Sequence, residues 1–398
     1  MPKLAYIAGT CDTKAEELRY VRDLIEASGV PTCLVDLGIH SRDKDVDVTA
    51  AQVAEYADGG AALLDLNDRG KAVTLMSQAF ARFMKSRTDV GGIIGLGGSG
   101  NTTIVSAGMQ ALPVGMPKIM VSTMAAGNVG PYVGSSDICM MYAVTDVAGL
   151  NSISRVVLGN AAHALAGMLK SKIPAAKVLP AVGMTMFGVT TPCVTQIRQE
   201  LEKEFDLLVF HATGVGGRSM EKLADSGLLR GFIDITTTEV ADFICGGVCS
   251  AGEDRLGAVI RTKLPWVGSV GAQDMCNFGA PETVPAKYQG RTFYRHNPHA
   301  TLMRTTPDEN RAIGKFIADK LNQCEGPVRM LLPEGGVSMI DAPGQPFNDP
   351  KADAALFETL EKNVKQNDRR RVIRLPYHIN DPRFSAEAVK HFRDIAAG

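Results

Sequence analysis

The chain reads as an α/β protein of two doubly wound parallel-sheet domains. Three observations predict this. Apolar, strand-sized runs alternate with helix-spaced segments along its 398 residues, the pattern of a parallel sheet covered on both faces. Both halves open with a strand, a small-residue loop and a helix. A polar, proline-containing break, Lys170-Ser171-Lys172-Ile173-Pro174-Ala175-Ala176-Lys177, divides the alternation, and the pattern restarts after it.

In the first half, strands are expected near residues 3–8, 31–37, 92–96 and 117–121, and helices near 13–28, 49–58, 69–87, 101–111 and 148–170. The first helix carries Leu18, Val21, Leu24 and Ile25 at helical spacing. The second half restarts with a strand from Val178 to Met184 and a helix to about residue 204, then a strand from Leu207 to His211. Later strands are expected near 231–235, 265–269, 328–332 and 372–375. The first domain is placed at residues 1–173 and the second at 178–398, the second completing an interdomain cleft.

Composition narrows the function classes. Hydrophobic residues at 45% and charged residues at 21% are those of a soluble globular protein. The net charge of −1 and a single short basic run, Arg369-Arg370-Arg371, argue against a nucleic-acid partner. No stretch approaches the roughly 20 apolar residues that span a bilayer. The chain begins a strand at once, so no signal peptide is expected. Eight cysteines without a C-x-x-C pair suit a reduced, cytoplasmic protein. Cys11 lies beside a helix N-terminus, which lowers a thiol pKa, although a small packed residue is the plainer reading.

The richest motif is Gly91 to Thr103, a buried strand, a glycine loop and the start of a helix. Its backbone N–H groups and the helix dipole suit an anion. No Asp or Glu stands between Asp89 and Asp137, so a phosphate would meet no local repulsion. Gly95, Gly97 and Gly100 fit G-x-G-x-x-G, but no acid follows about 20 residues on, which counts against NAD. A Walker P-loop is absent too. The expectation is a non-Walker phosphate loop; the alternative is a turn that lets a helix pack close to the sheet. A second loop, Gly9-Thr10-Cys11-Asp12-Thr13-Lys14, follows the first strand, and Lys14 in the first helical turn opposes the dipole unless an anion is near. Ser122 and Thr123 follow the strand at 117–121, and Asp137 is a candidate for a ribose or a metal.

The second half offers polar loops. Arg218 after Gly214, Gly216 and Gly217 can clamp a carboxylate or phosphate. Glu239 or Glu253 as base, His296 as acid, and Arg218 and Arg304 as clamps would make an acid/base site. His296 and His299 with Asp274 or Glu239 would make a metal site, with no particular metal indicated by the H-x-x-H spacing. Taken singly, each of these residues reads more simply as a cap or a surface polar group. The segment from Pro333 to Pro350 reads as a long ordered loop able to act as a lid.

Taken together, Gly9-Thr10-Cys11-Asp12-Thr13-Lys14, Gly97-Gly98-Ser99-Gly100-Asn101-Thr102, Gly246 to Arg255 and Arg295-His296-Asn297-Pro298 resemble the family of the tomato mosaic virus resistance protein and its bacterial relatives. The resemblance covers essentially the whole chain. It implies two Rossmann-like subdomains, ATP binding and a homodimer or higher homo-oligomer. The plant protein continues into a TIM-barrel-like domain, so a separate TIM-barrel-like protein is an implied partner. The nucleotide site carried over falls on Gly9, Thr10, Asp12, Thr13 and Lys14 as one wall. Gly97, Gly98, Ser99, Gly100, Asn101 and Thr102 would hold the phosphates, with Ser122 and Thr123 completing the site. Three functions stay open. The first is an ATP-binding, Mg²⁺-assisted enzyme, with phosphoryl transfer to a small molecule as its chemistry. The second is an ATP-independent enzyme cleaving a carbon–carbon bond of an oxo-acid through Glu239, Glu253, Asp274 and His296. The third is a non-catalytic, nucleotide-dependent partner of another protein.

Overall fold

A computed structural model describes residues 3–41, 43–174 and 178–396. The chain divides into two compact units, Met1–Ala176 and Lys177–Gly398. Ala175, Ala176 and Lys177 of the expected break lie outside the described residues.

Unit 1 runs β1 (Leu4–Gly9), α1 (Cys11–Ala27), β2 (Thr32–Asp36), α2 (Ala50–Ala54), α3 (Arg69–Ser86), β3 (Val90–Gly97), α4 (Ser99–Ala111), β4 (Lys118–Ser122), α5 (Gly130–Val133), β5 (Cys139–Tyr142) and α6 (Ser152–Lys170). Its five strands pair in parallel in the order β2-β1-β3-β4-β5. Both faces are covered, so the strands are apolar on both sides. Tyr6 and Ala8 of β1 join the core formed with α3 and α4, around Met76, Phe80, Val105 and Met109. Ala5 and Ile7 point the other way, into the core of Leu18, Val21, Ile25, Leu158 and Leu165 from α1 and α6. The edge strand β5 carries Met140, Met141 and Tyr142, half-buried or exposed; it is too short and too exposed to stand out in the sequence.

Unit 2 runs β6 (Ala181–Met186), α7 (Thr191–Leu201), β7 (Asp206–His211), α8 (Val215–Asp225), β8 (Phe232–Thr236), α9 (Glu239–Cys245), α10 (Gly257–Thr262), β9 (Trp266–Gly271), β10 (Met275–Phe278), β11 (Phe293–Asn297), β12 (Ala300–Arg304), α11 (Pro307–Leu321), β13 (Val328–Pro333), α12 (Pro350–Asn363), β14 (Arg370–Leu375) and α13 (Pro382–Ala396). Six strands form a parallel sheet, β7-β6-β8-β9-β13-β14. Counted from the first strand of each unit, both sheets share the order 2-1-3-4-5, and unit 2 adds a sixth strand at its edge. The remaining strands form a separate antiparallel sheet, β10-β12-β11, inserted between β9 and α11. Sequence reading missed this insertion, because its strands mix Arg, His, Asn and Thr with apolar residues and show no long alternating run.

The expected architecture of two doubly wound α/β domains is therefore the observed one. In such sheets ligands bind beyond the carboxyl ends of the strands, where the strand order reverses. That point lies between β1 and β3 in unit 1 and between β6 and β8 in unit 2.

Candidate functional site

At the β1/β3 reversal of unit 1 a cavity of about 400 Å³ opens. The loop after β1 supplies Thr10, Asp12, Thr13 and Lys14, and the start of α4 supplies Gly98, Ser99, Gly100 and Asn101. Leu37, Ile39 and His40 come from the loop after β2, Arg69 and Val73 from the start of α3, and Asp146 from the turn after β5. Ile104 of α4 completes an apolar wall with Ile39 and Val73.

The helix ends set the electrostatics. Gly98 is the N-cap of the 13-residue α4, offers no side chain to the first-turn amides, and no acid follows in that turn. Those amides therefore keep their partial positive charge directed at the cavity. Lys14 departs from helical geometry at φ −134°, kinking the first turn of α1. Neither Lys14 nor Arg69 forms an ion pair among the described residues, and both border the cavity.

Asn101 is nearly buried, at 7% exposed. Its amide nitrogen donates to the Leu96 carbonyl, which orients the side chain, since only the NH₂ can donate. The Asn101 Oδ1 is left buried without a hydrogen-bond partner.

Packing explains one glycine of the loop but not two others. Gly97 sits at φ +146°, where a side chain would be strained. A Cβ on Gly98 would meet nothing nearer than 3.8 Å, and one on Gly100 nothing nearer than 3.9 Å. Neither has a backbone conformation reserved for glycine. Their missing side chains leave the mouth of α4 clear.

Not every expected residue lines this cavity. Gly9 and Gly97 lie behind it, in contact range of Leu18 and Asn101. The Thr102 hydroxyl donates to the Gly98 carbonyl at 2.8 Å and pairs with the Ser122 hydroxyl at 2.7 Å. Thr102 and Ser122 thus tie the start of α4 to the end of β4, and Thr123 flanks Gly98. Asp137, a candidate for ribose or metal, instead accepts from the buried Lys118 ammonium and from the Gly115 amide, each at 2.7 Å. Cys11 is packed, not activated: burial first, then the neighbouring Asp36, push its thiol upward.

Sequence reading missed Asp36, His40, Arg69 and Asp146. Asp36, only 1% exposed, accepts the Cys11 amide at 2.9 Å and the Gly38 amide at 2.8 Å, joining the loops after β1 and β2. Its place at the end of β2 was the available signal. His40 and Asp146 come from loops without a glycine-rich motif, and Arg69 from the first turn of α3.

Unit 2 treats its carboxyl ends differently. At its strand reversal, the Thr190 and Thr236 hydroxyls pair at 2.7 Å, and the Val189 carbonyl accepts from the Met339 amide and the Asn380 side chain. The glycine loop after β7 is wrapped around an internal anion. Glu239, wholly buried, accepts the Gly214 amide at 2.6 Å and the Gly217 amide at 3.0 Å. A Cβ on Gly217 would run into that carboxylate. The other oxygen of Glu239 accepts from Arg255 at 2.7 Å. Arg255, itself buried, also binds Asp234 at 2.7 Å and Glu221 at 3.0 Å. Trp266 Nε1 and the Thr185 hydroxyl donate to Asp234.

Glu239 therefore has both oxygens committed and no exposed surface, a placement unsuited to a base. Arg218 and Glu253 are exposed, and Arg218 donates to the Ser250 carbonyl at 3.1 Å. His296 and His299 are exposed on the β11–β12 hairpin, while Glu239 and Asp274 are buried. Among the described residues no group of three or more His, Cys, Asp or Glu is placed to hold a metal ion. The five candidates Arg218, Glu239, Glu253, Asp274 and His296 are thus spread over exposed and buried positions.

Asp274 belongs to a second buried cluster. Arg304 binds Asp341 at 3.1 Å and Asp353 at 2.8 Å. Ser338 donates to Asp274 at 2.7 Å. Burial, opposed by Arg304, pushes Asp274 up to about 6. Burial and the neighbouring Asp274 and Asp353 push Asp341 up to about 9. The expected lid is part of this cluster: Val337, Ser338, Asp341 and Phe347 are buried, and Arg304 donates to the Phe347 carbonyl at 2.7 Å.

Residues 3–174 match the N-terminal domain of the uncharacterised protein family UPF0261, and residues 179–396 match its C-terminal domain. The chain belongs to the UPF0261 family. A UPF0261 protein of Rhizobium meliloti is 58% identical over 395 residues, covering 99% of both chains. A UPF0261 protein of Clostridium tetani is 44% identical over 399 residues, covering 98% of both. The ToMV resistance protein Tm-1 of Solanum lycopersicum is 40% identical over 418 residues, spanning 98% of this chain and 55% of that protein. The resemblance read from the sequence thus extends to a relative of that name, within UPF0261. No helix among the described residues is long and apolar enough to cross a membrane.

Two predictions follow from the buried ions of this UPF0261 chain. Arg255→Met leaves three carboxylates without their cation and should cost about 3–5 kcal/mol. Trp266, the only tryptophan, sits buried in unit 2, so its fluorescence in urea reports this loss; an unchanged midpoint would refute the network's role. The second concerns pH. Unfolded aspartates ionise near pH ~4, while folded Asp341 keeps its proton up to about 9. Across that interval the unfolded state binds fewer protons, so stability falls as pH rises. The same urea midpoint should decline between about pH 5 and about pH 9, and Asp341→Asn should flatten the decline. Equal slopes in both proteins would remove Asp341 as the cause.

Proposed function

We propose that the protein binds ATP in the unit 1 cavity and acts as a cytoplasmic protein of small-molecule metabolism, with phosphoryl transfer as its reaction. The observation that carries this reading is the clear mouth of α4, where packing requires no side chain to be missing at Gly98 or Gly100. An uncapped helix N-terminus bordered by two unpaired cations is an anion site by its physics. The volume of about 400 Å³ lies within the range of small-ligand pockets.

The ligand's parts distribute by chemistry. The phosphates take the α4 amides, with Lys14 and Arg69 as counter-charges. The apolar wall of Ile39, Val73 and Ile104 suits a base. The Asn101 Oδ1 takes a donor, a hydroxyl or an amine, which a bare inorganic anion lacks. Asp12 and Asp146 are two acids able to hold Mg²⁺, which would take its other oxygens from phosphate and water. A dinucleotide fits less well. The acid at the end of β2, Asp36, is buried and committed to two backbone amides, so no carboxylate there is free for a ribose.

Calorimetric titration with ATP, with and without Mg²⁺ and beside NAD, tests this reading. Saturable ATP binding is expected, weakened about tenfold or more by Lys14→Ala and by Gly98→Val. Gly100→Ala improves helix propensity by about 0.5–1 kcal/mol, so its thermal midpoint should not fall while its ATP affinity does. Equal affinity in all three variants would remove the assigned site. Absence of ATP binding would move the carbon-chemistry alternative ahead.

A further inference from the structure

A second cavity, of about 480 Å³, lies in the inserted part of unit 2. Val284, Pro285, Tyr288 and Phe293 give it an apolar floor, backed by a buried cluster. Cys276, Phe278, Tyr288 and Met303 form a small buried core with Cys245, and Val284 packs against it. Tyr288 is fixed there by donating to the Cys245 carbonyl at 2.5 Å and by packing against Phe278 at 5.6 Å between ring centroids.

The antiparallel register puts two polar groups side by side over this floor. Arg295 of β11 lies directly opposite Thr301 of β12, so their side chains share one face. Phe293 and Met303 form the adjacent cross-strand pair on that face. Arg295 and Thr301 both line the cavity.

These two groups are uncommitted in a telling way. Thr301 is 4% exposed, and its hydroxyl is buried with no hydrogen-bond partner. A buried orphan hydroxyl is unfavourable unless something in the cavity satisfies it. Arg295 is exposed, and no acceptor reaches its guanidinium among the described residues. The nearby basic residues are already engaged: Arg291 pairs with Glu309 at 2.6 Å, and Arg291 and Lys287 both lie over the Tyr288 ring. Glu282, at the Pro281–Thr283 turn, is the one acid that lines the cavity.

From this geometry we propose that the cavity binds a small carboxylate with an apolar body. The carboxylate sits between the Arg295 guanidinium and the Thr301 hydroxyl, and the apolar body lies against Val284, Tyr288 and Phe293. A carboxylate supplies the two things the pair lacks, a negative charge and an acceptor. The apolar floor supplies most of the buried area, as in ordinary ligand pockets. Glu282 opposes any anion here, a dianion more than a monoanion, and a bare inorganic dianion gains nothing from the floor to offset it. The site lies in unit 2, with residues separate from those of the unit 1 cavity, so it stands whether or not ATP binds there.

The test uses the full chain and 3-phenylpropanoate as probe, with its neutral amide, 3-phenylpropanamide, as control. Saturable binding by titration calorimetry is expected, about tenfold weaker for the amide and for Arg295→Gln. Thr301→Val should also weaken the acid several-fold. It removes an orphan polar atom at nearly constant shape, so its thermal midpoint should hold or rise. ATP should not compete with the probe. No saturable binding, equal affinity for acid and amide, or unchanged affinity in both variants would overturn the proposal. So would conversion of an oligomer to monomer by Phe293→Asp, which would make the face a contact between copies of this chain.

Discussion

One guanidinium holds the second half of the molecule in register. Arg255 reaches Asp234 at the heart of β8, Glu221 on α8 and Glu239 at the start of α9. Three carboxylates around one cation carry more negative charge than the cation can neutralise. Burial pushes Glu221 upward in response. The excess is met by backbone: the Leu256 and Ala258 amides donate to Glu221, and the Gly214 and Gly217 amides donate to Glu239. A lysine could not replace this, because one ammonium lacks the planar fork that serves three carboxylates at once. The glycine loop after β7 and the start of α10 are positioned by this knot.

The knot also explains why two units with one strand order are used differently. Both place a glycine loop before a helix at a strand end. In unit 2 that loop closes on Glu239, a carboxylate of the chain itself, and Gly217 has no space for anything more. In unit 1 the corresponding attraction is not met from within: α4 has no capping side chain and no acid in its first turn. A helix N-terminus that neither its own sequence nor a neighbouring acid satisfies is poised for an external anion. The same motif read in isolation would have been equally suggestive in both places. Only the position of Glu239 separates them.

This marks where the sequence was legible. Long parallel strands such as β1 and β3 announce themselves, because burial on both faces makes them apolar throughout, and glycine loops announce strand ends. The first-domain loops Thr10–Lys14 and Gly98–Asn101 were legible for that reason. Residues that reach a site from distant segments were not. His40 and Asp146 sit in loops of ordinary composition and Arg69 opens α3, and only the sheet order brings them to α4. Polar clusters misled in the opposite direction. Glu239 and Asp274 stood out as chemically capable, yet burial assigns them to ion networks, since a sequence does not reveal which acids will find an arginine. The antiparallel insertion escaped because its strands are short and one, β11, is largely exposed.

Burial also decides what an unpaired polar atom means. The Asp274 Oδ1 is without a partner, but it lies among Asp341, Asp353 and Arg304, where excess negative charge raises proton affinity. Such a cluster can settle its own account by holding a proton, and it then faces pH, not a ligand. Asn101 Oδ1 and Thr301 Oγ1 have no such recourse, because an amide and a hydroxyl do not titrate in the range that proteins experience. Both border cavities. A non-titrating orphan at a cavity wall is satisfied only by water or by a ligand. Beside Asn101 stand cations and helix amides, and beside Thr301 stand an arginine and an aromatic floor. Under the two proposals the neighbourhoods suit different molecules: a phosphorylated one with hydroxyl or amine donors in unit 1, and an apolar carboxylate in unit 2.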